Sequence, residues 1–376
     1  MEKKYFENLD TLRTFACFAV FAAHSMLGVT FLKLWDNTLY QKIITLLSSG
    51  SNGVSFFFVL SGFLITHLII LEKKEKGTFS LKNFYFRRFL RIWPLYYMVV
   101  IFGFFLYPYV KIAMGMEVII PYNIFYHLAF LTNFDSIIVS HNKLTGVSPM
   151  MIGITWSVAI EEQFYLVWPL LFYFIKERFY GLIFLGVILI SLAFRYFNLA
   201  DDATIYFHSF SVMSDLALGG GCAYLALYNE YFMRFFTNLR KPIIISIYVL
   251  GYAALLYPEY LLSPLPYSSV YLRFIYACFF AFIILEQNYS NNSFFKYGKL
   301  TKLSQAGKYT YSMYMLHPIG IQVSVVLFKI LHISNTDSFM YGIIYVVLAL
   351  FVSLLLSYLS YRYVESYFLK LKDKYQ

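Results

Sequence analysis

The sequence is poor in charge, in cysteine and in metal-binding patterns. Only 13% of its 376 residues are charged, whereas a soluble globular domain carries about 25%. Its three cysteines, Cys17, Cys222 and Cys278, lie inside apolar runs and share no metal-ligand spacing. We therefore predict neither a disulfide nor a metal site. A Walker-type phosphate loop is also absent. The low charge argues against an ordinary soluble domain.

The net charge of +10 could indicate a nucleic-acid partner. The basic residues, however, do not cluster as a patch that could line a groove. They lie between the apolar runs, where membrane proteins carry their orientation signal. We therefore predict membrane lipids, and no nucleic acid, as partners.

Apolar and aromatic residues dominate the chain. It is 60% hydrophobic and 22% aromatic, with a mean hydropathy of +0.63, and apolar runs of ~20 residues recur. This predicts an all-α, polytopic membrane helical bundle with about ten transmembrane helices. The expected spans are residues 9–32, 51–71, 92–110, 154–175, 180–197, 206–227, 242–257, 267–285, 309–331 and 339–361. The shorter stretch 123–139 is expected to be interfacial or re-entrant.

The basic residues also predict the orientation of the bundle. Most of the 30 Lys and Arg residues fall in segments on the same side as the N-terminus. The positive-inside rule then places both termini in the cytoplasm. Because the sequence shows no long linker and no evident repeat, residues 1–376 are expected to form a single integral-membrane domain.

The stretch LDTLRTFACFAVFAAH places ionisable residues in the first span. Arg13 and His24 are eleven residues apart, which puts them on one helix face with His24 ~16 Å further along the axis. Asp10 lies one turn before Arg13, close enough to position it. Arg13 suits an anion such as phosphate, and His24 suits proton transfer. Alternatively, Arg13 reaches lipid headgroups and His24 makes a helix contact.

The stretch FYFRRFLRIWPLYY carries Arg88 and Arg91, three residues apart on one face of a helix that enters the membrane. Two interpretations stay open. The pair is either a positive-inside anchor beside a Trp/Tyr belt, or an anion-binding site at the cytoplasmic end of the bundle.

The stretch WSVAIEEQFYLVWPLL carries Glu161 and Glu162 inside an apolar run. Two carboxylates there cannot both face lipid. Trp156 precedes Glu161 by five residues, and Tyr165 follows it by four, on the same helix face. We expect one carboxylate to face the bundle interior.

Two more ionisable residues lie inside predicted spans. His317 directly precedes Pro318, and a proline there frees a carbonyl and often bends a helix around a cavity. A packing role for His317 is the alternative. Asp215 precedes three glycines, 219–221, that permit close helix contact, and it is expected to orient a partner cation.

Five stretches, in order from residue 9 to about residue 318, resemble one family. The first span has the Asp-x-Leu-Arg opening and the Arg–ten residues–His spacing of the membrane-bound acyltransferase-3 family, and FFFVLSGFLIT resembles its second helix. RRFLRIWPLYY carries its Arg-x-x-Arg motif. WSVAIEEQFYLVWPLL is similar to its Trp-Ser and Glu-x-Gln-Phe-Tyr block, and YSMYMLHP to its Tyr-x-x-His element. Any one motif is weak, whereas five in order are specific.

The resemblance implies an enzyme of the bacterial cytoplasmic membrane that transfers an acyl group, usually acetyl. The donor would be cytoplasmic acetyl-CoA or another acyl-CoA, and no metal is implied. The acceptor would be a sugar hydroxyl of a cell-envelope polysaccharide or a lipid-linked glycan. The extracytoplasmic esterase-like domain that some members append is expected to be absent.

The family's motifs also assign roles. His24 would be the essential histidine, Arg13, Arg88 and Arg91 the motif arginines that lie near the donor phosphates, and Glu161 the motif glutamate. Glu161 would orient an imidazole or hold the acceptor. His24 would take the proton of the acceptor hydroxyl as it attacks, or would itself carry the acyl group.

One departure from the family concerns Asp215. Members often have an arginine shortly before this aspartate, and here Met213 and Ser214 occupy those positions. The site around Asp215 therefore departs from the pattern of the family.

Two rival functions share the polytopic bundle. A transporter or flippase for glycans or lipid-linked sugars would also be aromatic-rich and would also bury charges, and internal inverted repeats would favour it. None is evident in the sequence. A structural membrane subunit is the second rival, but it explains neither the phasing of Arg13 and His24 nor Glu161.

Overall fold

The architecture is helical throughout the described part of the chain. The computed structural model describes residues 6–27, 50–113, 115, 118, 120–143, 150–331 and 339–372. Its α-helices are α1 (Glu7–Leu27), α2 (Gly50–Lys76), α3 (Leu81–Ile101), α4 (Tyr107–Ala113), α5 (Ile124–Leu128), α6 (Thr132–His141), α7 (Met150–Gly153), α8 (Thr155–Phe174), α9 (Tyr180–Phe197), α10 (Asp202–Phe207), α11 (Ser209–Tyr228), α12 (Glu230–Thr237), α13 (Lys241–Leu256), α14 (Pro258–Leu261), α15 (Ser268–Tyr289), α16 (Thr301–Ala306), α17 (Thr310–Ile330), α18 (Phe339–Ser360) and α19 (Ser366–Lys372). These residues contain no β-strand. The all-α prediction is confirmed.

The bundle is that of a multi-pass membrane protein. Seven of the described helices are long and apolar enough to cross a membrane. They are Asn52–Lys76, Leu81–Ala113, Glu177–Phe197, Asp202–Tyr228, Ser268–Tyr289, Thr301–Phe328 and Met340–Lys372. The pair α12 and α13, bent by 90° at a short break, would make eight if it counts as one broken span.

Helices α1 and α8 lie outside this set, and they carry the ionisable residues Asp10, Arg13 and Glu161. They have 21 and 20 residues, so each is about 30 Å long and matches the hydrocarbon thickness of a bilayer. Every one of the ten stretches predicted as spans overlaps a helix of the structure. Residues 28–32 of the first predicted span lie outside the described residues.

The third predicted span begins earlier than expected. It was predicted over residues 92–110, but α3 starts at Leu81, where Ser80 caps the helix by accepting a hydrogen bond from the Asn83 amide at 3.2 Å. The helix also continues through Pro94. An apolar window misses the first ten residues because they are rich in Lys and Arg. Arg88 and Arg91 therefore lie well inside a continuous helix.

The stretch 123–139 folds as two short helices, α5 and α6, joined at Phe130, which has a positive φ of 54°. Neither helix is long enough to span, since ten residues of α-helix cover ~15 Å. Gln163 of α8 holds the joint in place. Its amide donates to the Phe130 carbonyl at 2.8 Å and to Asn133 Oδ1 at 2.9 Å.

Glycines let α2 and α11 cross in close contact, as the sequence predicts for residues 219–221. A Cβ atom on Gly219 would collide with the Val59 carbonyl, and one on Gly62 with the Leu216 carbonyl. The two backbones thus approach where larger residues would separate them. The crossing brings α2 serines beside α11.

The apolar core forms two clusters that meet at α2. Phe58 belongs to the cluster built with α3, α8, α11 and α17. Leu60 belongs to the cluster built with α1 and α15. Since α2 has packed helices on both sides, its polar residues Ser55 and Ser61 face other helices.

Candidate active site

A cavity of about 800 Å³ lies between α1, α2, α3, α8 and α17 and reaches the polar ends of these helices near α19. It brings together predicted residues from three separate sequence motifs. The predicted residues on its wall are Asp10, Arg13, Arg88, Arg91, Glu161 and Tyr165.

Arg13 is oriented by Asp10, as their spacing predicts. Its Nη1 atom lies 2.6 Å from Asp10 Oδ1. Asp10 in turn packs against Gly307, where a Cβ atom would lie 2.7 Å from the Asp10 Cβ. Thr14, one turn further along α1, donates to the Leu303 carbonyl at 2.9 Å. The start of α1 is therefore fixed against the segment that precedes α17.

Glu161 is held by two hydroxyl groups. It accepts hydrogen bonds from Ser61 at 2.8 Å and from Tyr165 at 2.9 Å. The Arg88 guanidinium lies 5.2 Å from the centre of the Tyr165 ring, in the range of a cation–π contact. The carboxylate, the phenol and the guanidinium thus form one group on the cavity wall. Ser61 was not predicted, although a lone serine inside FFFVLSGFLIT was a visible signal.

Glu162 points away from Glu161 and toward α3. It accepts a hydrogen bond from Trp93 Nε1 at 2.8 Å. Adjacent residues diverge by 100° on a helix, so the two carboxylates contact different residues. Of the two, only Glu161 lines the cavity.

The cavity wall is electropositive. Six basic and three acidic side chains line it. Four of these, Lys308, Lys370, Lys372 and Glu365, come from the region around α17 to α19 and were not predicted. Their place on the cavity wall could not be predicted from the sequence, because these segments reach the cavity only through tertiary packing. An excess of positive charge of this kind attracts a polyanionic ligand.

His24 and His317 form a pair that does not line the described cavity. Nε2 of His317 lies 3.0 Å from Nδ1 of His24, and the ring centres are 5.0 Å apart. Tyr314 and Ser157 line the cavity. Their hydroxyl oxygens are 2.5 Å apart, and the Tyr314 ring centre is 6.0 Å from that of His317. The sequence gave no reason to pair the two histidines.

Asp215 and Trp156 also lie away from the cavity. Asp215 accepts hydrogen bonds from Ser55 at 2.6 Å and from Arg273 at 2.8 Å. The partner cation of Asp215 is therefore Arg273 of α15. Trp156 packs against Phe58 with ring centres 6.2 Å apart.

Within the described ranges, no group of three or more His, Cys, Asp or Glu side chains could hold a metal ion. The three cysteines are free thiols.

A family model described as an acyltransferase domain matches residues 6–358. The chain belongs to the membrane-bound acyltransferase-3 family. This confirms the family that the five sequence stretches indicate.

Named relatives match the same region. An O-acetyltransferase OatA of Staphylococcus aureus (strain NCTC 8325 / PS 47) is 26% identical over 383 residues, which cover 96% of this chain and 57% of the relative. A peptidoglycan O-acetyltransferase OatA of Listeria monocytogenes is 29% identical over 251 residues, which cover 61% of this chain and 35% of the relative. The chain thus spans little more than half the length of the first relative. No solved structure matches it.

Proposed function

We propose that this protein is a membrane-bound O-acyltransferase. It transfers an acetyl or similar short acyl group from acyl-coenzyme A to a sugar hydroxyl of a cell-envelope polysaccharide or lipid-linked glycan. The observation that carries this proposal is the electropositive cavity of about 800 Å³, which lies beside a histidine pair in a chain of the acyltransferase family. The names of the relatives support an acetyl group and an envelope acceptor.

The donor site is the cavity, and its arginines bind the donor phosphates. Arg13, Arg88 and Arg91 reach it from α1 and α3, and guanidinium groups suit phosphate because they can donate two parallel hydrogen bonds. The lysines near α17 and α19 add charge at the polar end. The volume and the sign of the charge both fit a coenzyme A thioester.

His24 is the proposed catalytic base. It takes the proton of the acceptor hydroxyl while the oxygen bonds to the acyl carbon. The carbon–sulfur bond then breaks, and the proton passes to the leaving thiolate. In the alternative route, His24 attacks the acyl carbon and carries the acyl group before the acceptor takes it. Trapping of an acylated protein with donor alone would favour this second route.

Glu161 is the proposed second catalytic group, and it holds a substrate rather than an imidazole. Its carboxylate partners are Ser61 and Tyr165, whereas the hydrogen-bond partner of His24 is His317. Of the two roles expected for Glu161, the holding of the acceptor in the cavity therefore fits its surroundings better. Asp10 and Tyr165 support the site by orienting Arg13 and Glu161.

The proposed topology has ten spans. It counts α1, α8 and α13 together with the seven apolar helices, and it places both termini in the cytoplasm by the distribution of basic residues. Residues 1–376 then act as a single integral domain in the bacterial inner membrane. In this orientation the polar end of the cavity faces the cytoplasm, where acyl-coenzyme A is made.

The proposal is tested with the full chain purified in lipid nanodiscs. The wild-type protein should bind acetyl-coenzyme A and acetylate envelope glycan fragments. His24→Ala should lower transfer about 100-fold or more, the usual contribution of a general base, while acetyl-coenzyme A binding and membrane insertion stay unchanged. Full activity of His24→Ala would contradict the assignment of the base. If the protein moved glycans across the bilayer but neither bound nor used acetyl-coenzyme A, the result would contradict the proposed function and support the rival transporter.

A further inference from the structure

The proton positions in the histidine pair follow from the carbonyl groups around His317. Its Nδ1 atom lies 2.7 Å from the Tyr314 carbonyl oxygen and 3.2 Å from the Met313 carbonyl oxygen. A carbonyl oxygen can only accept a hydrogen bond, so Nδ1 of His317 carries the hydrogen. In a neutral imidazole the other nitrogen, Nε2, is then an acceptor.

This acceptor faces His24. Nε2 of His317 and Nδ1 of His24 are 3.0 Å apart, which is a normal hydrogen-bond distance. Because Nε2 of His317 accepts, Nδ1 of His24 must donate. The lone pair of neutral His24 is therefore on its Nε2 atom. The chain of hydrogen bonds runs from His24 through His317 to the backbone of α17.

We propose that His317 is a positioning residue that holds His24 in the Nδ1–H tautomer, so that Nε2 of His24 is the atom that reacts. The catalytic role of His317 in this inference rests on the proposed function. The tautomer of His24 can be observed whether or not that function is correct. His317 acts here in the place that a carboxylate or a carbonyl occupies in other base-and-orienter arrangements.

The surroundings of His317 keep its ring in this orientation. The side chain is 1% exposed, and the Phe21 ring packs edge-on against it at 6.3 Å. A Cβ atom on Gly320, one turn later, would collide with Ser353 of α18. Helices α17 and α18 therefore touch closely beside His317. Two carbonyl groups and close packing hold the His317 ring in place. Its hydrogen bond can therefore fix the orientation of the His24 ring.

The pairing has a consequence for the charge during the reaction. When Nε2 of His24 takes the hydroxyl proton, the imidazolium keeps its Nδ1–H bond to a neutral His317. The positive charge is then stabilised by a hydrogen bond, with no ion pair to break when the proton passes on to the thiolate. In the acyl-histidine route, the same bond makes Nε2 the nucleophile.

The direct test is nitrogen NMR of the full chain, labelled with nitrogen-15 histidine and placed in nanodiscs. Spectra of His24→Ala and His317→Gln identify the two residues. The wild-type protein should show His24 protonated on Nδ1 and unprotonated on Nε2, and His317 likewise. His24 protonated on Nε2 would overturn the proposal. This outcome does not depend on acyl transfer, so it is distinct from a failure of the proposed function.

A pair of variants tests the effect on catalysis. His317→Gln keeps an acceptor oxygen near the position of Nε2, and His317→Met fills similar space without a comparable acceptor. His317→Met should lower kcat about 100-fold with KM for acetyl-coenzyme A unchanged, and His317→Gln should stay within about tenfold of the wild type. Equal losses in both folded variants would indicate a packing role only and would overturn the proposal.

His67 provides the matched control for these variants. It is also 1% exposed and inside the bundle, and its ring stacks on Phe63 at 5.9 Å. His67→Gln should leave kcat and the His24 signals as in the wild type. A loss of kcat with a shifted His24 signal in His67→Gln would show that any buried histidine has this effect and would contradict the specific role of His317.

Discussion

Two of the groups of ionisable side chains inside the bundle differ in how their charges are satisfied and in space. Around Asp215, the carboxylate accepts hydrogen bonds from Arg273 and Ser55. The nearby Arg195 donates to backbone carbonyls. Asp215 is fully buried. Around Arg88, six basic side chains face three acidic ones across a cavity of about 800 Å³. In the first group, which is closed, each charged side chain is hydrogen-bonded by its neighbours, whereas the second group is open and has positive charge in excess beside empty volume.

The difference shows which buried charges indicate a ligand. Buried charges that are hydrogen-bonded to their own neighbours have part of their cost of burial offset by those contacts. An excess of one sign beside empty volume is satisfied only by something that enters. Charge inside a span is thus a weaker functional signal than unmatched charge beside a cavity, although both look alike in the sequence.

The largest expected effect is in the closed group. Arg273→Ala leaves the Asp215 carboxylate buried without its cation, and breaking a buried pair in this way costs about 3–5 kcal/mol. We expect a large drop in the melting temperature of the purified protein, measured by tryptophan fluorescence in detergent.

The control for this prediction removes both charges. Asp215→Asn combined with Arg273→Gln should recover more than half of the lost stability, since no carboxylate then lies buried without its cation. A folded, stable Arg273→Ala protein that fails only in donor binding would break the comparison, because the closed group would then be part of the site.

The next effect is in the open group. Arg88→Ala should weaken acetyl-coenzyme A binding about 10- to 100-fold, because one hydrogen bond to a charged group contributes about 1.5–3 kcal/mol. The melting temperature should change little, since the variant also relieves repulsion among like charges. Binding is measured by titration calorimetry in nanodiscs.

Arg87 offers a matched control one residue away. It lies 3.4 Å from Glu72 and is not on the described cavity wall. Arg87→Ala should therefore bind acetyl-coenzyme A like the wild type. An equal loss in both variants would point to a general effect of surface charge, and the cavity would lose its role as the donor site.

The smallest effect is expected from a charged contact outside the spans. His141 lies 3.0 Å from Asp201 Oδ1, and Asp201 also caps α10 through Thr204. These hydrogen bonds lower the pKa of Asp201 to about 2. Because the folded pKa lies below the unfolded value, the carboxylate stabilises the fold above about pH 4. This contribution is lost as the pH falls toward 2.

The test compares Asp201→Asn with the wild type at pH 7 and at pH 3. The difference in unfolding free energy at pH 7 should be under about 1 kcal/mol, because solvent screens the contact. It should shrink at pH 3. A difference that grows on acidification would have the wrong sign for a lowered carboxyl pKa and would refute this account.

The helices and part of the site could be predicted because their signals are local. Apolar length indicates where helices lie, and all ten predicted stretches coincide with helices. The contact between Asp10 and Arg13 follows from a spacing of three residues, and that between Glu161 and Tyr165 from a spacing of four. The span predicted from residue 92 starts too late, because the polar first turns of α3, which begins at Leu81, carry no apolar signal.

The rest of the site depends on contacts between distant segments. His24 and His317 are separated by 293 positions, and Asp215 and Arg273 by 58. The helical periodicity predicts which face of its helix a residue occupies. It does not predict which other helix packs against that face. The sequence therefore yielded His317 and Asp215 as candidates without their partners. It gave no sign that Lys370 would reach the cavity.

The contact between Ser157 and Tyr314 has a consequence for the energy metabolism of the cell. In the proposed orientation, the cavity carries water and donor from the cytoplasm deep into the bilayer. A continuous wet passage would let protons cross and would dissipate the membrane potential. The two hydroxyl groups, 2.5 Å apart, lie on the cavity wall and are hydrogen-bonded to each other, so neither needs a water molecule as its partner. In the proposed orientation, contacts of this kind reduce the number of ordered water molecules along which protons could pass.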